Sequence, residues 1–104
     1  MKRTLLALLF IPALAMAEPS LESLTRELCE HHEKYAKTMM QYRQEDFPLS
    51  TALPLNLGSK ELRAITIMAY EQPLLSKPSE KMAAAIAFGN AIGKVCMLTG
   101  GKYD

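Results

Sequence analysis

An excess of charge of either sign is what this sequence lacks first. Twelve lysines and arginines stand against eleven aspartates and glutamates over 104 residues. No basic stripe is present to neutralise a run of phosphates, so nucleic acid is not an expected partner. The same balance argues against electrostatic docking on an anionic membrane surface. Long apolar runs are missing too. The best, Leu5 to Ile11, is broken by Pro12 and falls short of the about 20 residues that span a bilayer. No internal repeat, linker or low-complexity segment appears, and no stretch reads as a strand. Two histidines four apart, the zincin spacing, are absent. No nucleophile–base–orienter set is visible, because the serines and threonines fall mostly where caps and turns need them. The seven methionines form no repeated cluster and read as adaptable core filler. The expectation is a non-catalytic protein with no cofactor.

What is present begins with a leader. Lys2 and Arg3 supply a positive n-region, Leu5 to Ile11 an apolar h-region, and Ala15-Met16-Ala17 a small-x-small cleavage site. Residues 1–17 are therefore read as a signal peptide, and 18–104 as a single helical domain that is periplasmic or secreted. Glu18, not cysteine, follows the cleavage site, so a lipidated N-terminus is not expected. With Lys2 and Arg3 gone, ten basic residues face eleven acidic ones. No membrane association is expected once the leader is removed.

A domain this small buries only about 60–65% of its unfolded surface and is often stapled. The available staple is Cys29 to Cys96, the one intramolecular pairing that two cysteines allow in an oxidising compartment.

Residues 20–45 read as a long amphipathic helix. At about 100° per residue, Leu21, Leu24, Leu28, His32, Tyr35, Met39 and Tyr42 share one face, with Thr25, Cys29 and Ala36 along its edge. Glu22, Arg26, Glu30, Glu33, Lys34, Lys37, Gln41 and Gln44 lie opposite as a solvated face, with Glu30–Lys34 and Glu33–Lys37 as i,i+4 pairs. Ser20 is placed to cap the start. Phe47-Pro48 stops the helix. A single turn capped by Ser50 is expected next. Ser59 then caps a second helix running to about Gln72, largely buried through Ala64, Ile65, Ile67, Met68, Ala69 and Tyr70.

The third main helix runs from Ser76-Lys77-Pro78-Ser79 to the stop at Gly100-Gly101. Met82, Ala85, Ile86, Gly89, Ile92, Gly93 and Cys96 share a face, while Phe88, Val95 and Leu98 point elsewhere. A helix apolar nearly all round is a core helix, an interface or a membrane span. Asn90 and Lys94 argue against the span. Ala85, Gly89 and Gly93 recur every four residues, a spacing that admits close approach by another helix, and the expected neighbour is the first helix beside the disulfide. Phe88, Ala91, Val95 and Leu98 are then expected to form an exposed surface for self-association or a client.

Two further constellations could carry chemistry. Cys29 and His32, three apart on one face, would form a soft-metal site with Met39. Against that, Cys29 is better spent in the disulfide, and His32 is expected to be a packed core histidine with His31 more exposed. Arg43, at the edge of the stripe, meets either a helix-end carbonyl or Glu71, or builds an anion-binding pocket with Tyr70. An apolar groove would favour protein binding, a closed pocket on Arg43 a small ligand, and a reduced Cys29 beside His32 a metal.

Several of these residues together resemble a family of small exported helical proteins with two cysteines, found in proteobacterial and phage genomes. The pattern runs through Cys29, Ala36, Met39, Arg43-Gln44, Pro48-Leu49-Ser50, Ala69-Tyr70, Pro73, Ala85-Ile86, Phe88 and Cys96. The chain departs from it at Asp46, where a glycine is expected. The resemblance implies a helical fold and an envelope compartment, and no activity. Small periplasmic acid-stress chaperones share the architecture alone, which carries no function. The sequence thus predicts an all-α bundle of three main helices and one short one, its first and last helices joined by a disulfide. Its expected role is to bind or modulate another envelope protein, itself included.

Overall fold

Ser20 starts the first helix: its Oγ accepts the amide hydrogen of Ser23 at 3.1 Å, and Glu22 sits in the first turn against the helix dipole. The computed structural model describes residues 20–56 and 58–103, and the leader with its cleavage site lies outside them. Helix α1 spans Leu21–Gln44. Its end is a Schellman turn, in which Asp46 N–H bonds to Arg43 O and Phe47 N–H to Tyr42 O, both at 3.0 Å. The Phe47 ring stacks on Tyr42, 5.1 Å between centroids. Asp46 takes the left-handed conformation at φ 62°. Asp46 thus holds a conformation that favours glycine, the residue that the resemblance leads one to expect there.

A one-turn helix, α2, covers Leu49–Ala52 and continues as a 3₁₀ turn through Asn56. Pro48 occupies its cap position with no side-chain cap bond, so Ser50 lies inside the turn and does not cap it. Helix α3 spans Lys60–Tyr70, with the Ser59 Oγ accepting from Leu62 N–H at 3.1 Å. Helix α4 spans Pro78–Thr99; Pro78 fills the first turn and Gly100, at φ 73°, ends it. These four α-helices, with no strand among the described residues, make the fold all-α.

Helix α1 is the spine, with α3 and α4 packed against it. Ala36, Ile65 and Ile92, one from each main helix, form one buried cluster, and Met39, Ala52 and Ala69 form a second. Tyr35 and Phe88 touch both. The Cys29–Cys96 disulfide joins α1 to α4, with their Cα atoms 5.4 Å apart. Such a bond forms in an oxidising compartment and is consistent with export.

The small-residue spacing of α4 is used against α1. A Cβ added at Gly89 would stand 3.1 Å from the backbone carbonyl oxygen of Glu33 and 3.3 Å from Lys37 Cβ. At Gly93 it would meet the Glu33 carboxylate at 3.2 Å. Glu33 is therefore a packing residue, and the expected Glu33–Lys37 and Glu30–Lys34 pairs do not form. By length and composition α4 would suffice to cross a membrane. Here it lies along α1 through Ala85, Gly89, Ile92 and Cys96, all buried.

Two other expectations need correcting. Helix α3 is not buried nearly all round: Ile65, Thr66 and Ala69 are covered, while Ile67 is 44% exposed, because α1 and the short α2–3₁₀ segment leave one side of it open. The buried face of α1 is also rotated toward its Cys29–Ala36 edge. Leu21, Leu24 and Leu28 are exposed because α3 covers only the C-terminal half of α1. Gln44, placed on the solvated face, is 2% exposed.

Candidate functional site

The fold leaves most of one long side of α4 uncovered. Beginning at the 72–75 segment, an apolar groove of about 430 Å³ runs between the end of α1 and α4. Met40, Pro73, Leu75, Ala84, Phe88 and Ala91 form much of its lining. At helical spacing the same side continues through Val95 and Leu98. Ala91 is exposed, and Val95 and Leu98 are 39% and 76% exposed. Phe88 corrects the expected surface. It is half-buried and packs against both core clusters, so it serves as a wall of the groove and as part of the core.

One rim of the groove is held by a residue that helical periodicity assigns to solvent. The Gln44 side chain donates from Nε2 to Pro73 O at 2.9 Å and accepts at Oε1 from Leu75 N–H at 2.9 Å. Both amide functions are used on the backbone that follows α3. The chain crosses the end of α1 there because Pro73 cannot extend α3.

Arg43 and Tyr70 are brought together, with the guanidinium carbon 5.9 Å from the ring centroid. Arg43 Nε donates to Gln72 O at 2.9 Å, a carbonyl left open just past the end of α3. Neither residue lines the four grooves along α1 and α4, which are walled by other side chains. The Tyr70 hydroxyl is buried without a hydrogen-bond partner. Burial pushes its pKa up, the Arg43 cation opposes this, and Asp46 and Tyr42 add to it.

The soft-metal trio is not assembled. Cys29 is bonded to Cys96, which removes its thiolate, and Met39 is packed in the core. Among the described residues no group of three or more His, Cys, Asp or Glu side chains is placed to hold a metal ion. His32 is buried and His31 exposed. His32 Nδ1 is hydrogen-bonded to the Tyr103 hydroxyl at 2.6 Å and lies 3.7 Å from Cys96 Sγ. Helical periodicity does not point to Tyr103; the signal for it is an aromatic placed just beyond the Gly100-Gly101 stop, where the chain can double back.

On the other side of the α1–α4 seam run two smaller grooves of about 290 and 320 Å³, sharing Glu30, Glu33 and Asn90. Lys34 and Lys37 line one, and Arg26 and Lys94 the other. Their mixed charge selects no ligand sign. Compared with known proteins, the chain matches no family model, no curated protein and no solved structure.

Proposed function

We propose that this is an exported, non-catalytic helical domain of the small two-cysteine proteobacterial and phage family. In this reading a leader cleaved after Ala17 delivers it to the periplasm or the exterior, where it binds or modulates another envelope protein. The supporting observation is the uncovered side of α4: an apolar groove ending in exposed Val95 and Leu98. Contiguous apolar surface on a small soluble domain marks an interaction site more often than chance exposure does. Its position beside a disulfide-fixed helix seam also gives a partner a preformed surface, which lowers the ordering cost of binding. Self-association would use the same side.

Affinity capture with residues 18–104 from an envelope extract tests this. The expected result is one protein, or the chain itself, recovered reproducibly above a control that carries an unrelated helical domain. Recovery of nothing above that control contradicts the reading. A second reading, small-ligand binding at Arg43 and Tyr70, is favoured by one observation, the unpartnered Tyr70 hydroxyl beneath a cation. Binding of a small anion that disappears in Arg43→Gln would select it.

A further inference from the structure

The described C-terminal residues do not trail away from α4; they fold back over the disulfide. Gly100 and Gly101 both have left-handed φ, 73° and 92°, which reverses the chain. Gly101 is buried, and a Cβ there would stand 3.1 Å from Leu28 Cδ2, 3.4 Å from His32 Cε1 and 3.8 Å from Cys96 Sγ. Tyr103 then lays its ring against the Ala36–Ile65–Ile92 cluster and its hydroxyl on His32 Nδ1. Apart from the α4-terminal bonds to Cys96 O, the other hydrogen bond of this segment is exposed, from Lys102 N–H to Thr99 Oγ1 at 3.1 Å.

We propose that residues 100–103 form a latch that acid releases: a proton taken up by His32 disfavours the closed position of Tyr103, and the tail lifts away from the disulfide and the core cluster. In the Nε2–H tautomer of neutral His32, Nδ1 accepts the Tyr103 hydroxyl hydrogen. With Nδ1 protonated it can no longer accept, and the hydroxyl must turn round beside a buried cation.

The groups facing His32 set the direction. Burial holds its pKa below the ordinary 6.5, His31 on the same helix lowers it further, and Glu61 from α3 pulls the other way. Tyr103, from the tail, has its own pKa raised by burial and then by Glu61, so it stays a neutral donor. Cys96, from α4, is in the disulfide and does not titrate. Opening the latch admits water to His32 and returns its pKa toward the ordinary value. The closed form is therefore favoured above 6.5 and loses its advantage as the pH falls through the lowered value. Release is local, because the disulfide pins α4 to α1 three residues before the helix ends.

Amide hydrogen exchange of the tail, with NMR titration of His32, tests the latch on the oxidised chain. Between pH 7.5 and 5, after correction for intrinsic exchange, protection at Gly101 to Tyr103 should fall by about tenfold while α1 and α4 stay protected. His32→Gln, which keeps a neutral polar group, should abolish the pH dependence. If that variant does not fold, Tyr103→Ala serves instead: the His32 pKa should then rise toward 6.5. The proposal is overturned by pH-independent protection, by acid release that persists in His32→Gln, or by a His32 pKa that Tyr103→Ala leaves unmoved.

Discussion

The side-chain amide of Gln44 fastens Leu75, accepting its backbone N–H at 2.9 Å while donating to the carbonyl of Pro73. One buried side chain thereby satisfies two backbone groups of the segment that rims the α4 groove. Gln44→Ala removes two part-buried hydrogen bonds, a loss of about 1–3 kcal/mol of stability. Chemical denaturation measures it, and Gln44→Glu should also lose stability because a carboxylate cannot donate to Pro73 O.

Gly89 and Gly93 should respond differently to alanine. At Gly89 the added methyl meets the Glu33 backbone carbonyl, which cannot give way without moving α1. Despite a helix-propensity gain of about 1 kcal/mol, Gly89→Ala is expected to destabilise by about 1–3 kcal/mol. At Gly93 the obstacle is mainly the Glu33 side chain. That side chain can swing aside, so Gly93→Ala should be near neutral or stabilising in the same measurement.

Asp46→Gly should stabilise the protein by about 0.5–1 kcal/mol, because φ 62° is strained for a residue with a Cβ and free for glycine. Thermal melting would show a rise in Tm. A fall would mean that the Asp46 carboxylate makes a compensating interaction with the turn.

Reducing Cys29–Cys96 opens a crosslink between residues 67 apart in sequence. Loop-closure entropy sets its contribution at about 4 kcal/mol. The denaturant midpoint should drop sharply with reductant, and Cys96→Ser should match the reduced wild type.

The sequence was most legible where a residue acts through local geometry. Ser20 and Ser59 cap, Gly100 ends α4, the two cysteines pair, and His32 turns inward while His31 turns out. It was least legible where a distant segment decides what is covered. Helical periodicity gives a side chain a direction and says nothing about which loop crosses there, so it assigns Gln44 and Glu33 to the solvated face. The same limit made Leu21, Leu24 and Leu28 look like core, since their periodicity continues past the end of α3. Phe88 carried an ambiguity of another kind: it lies between the groove and the two clusters, and only the packing shows that it belongs to both.

The claim that the uncovered side of α4 is a docking surface is tested most directly by repeating the envelope capture with Leu98→Glu and Ala91→Glu. Both side chains are exposed, so each variant should keep the helical circular-dichroism signal and melting temperature of the wild type. Each should recover the captured partner at least about tenfold less well. Folded variants that capture it as well as the wild type would contradict the account.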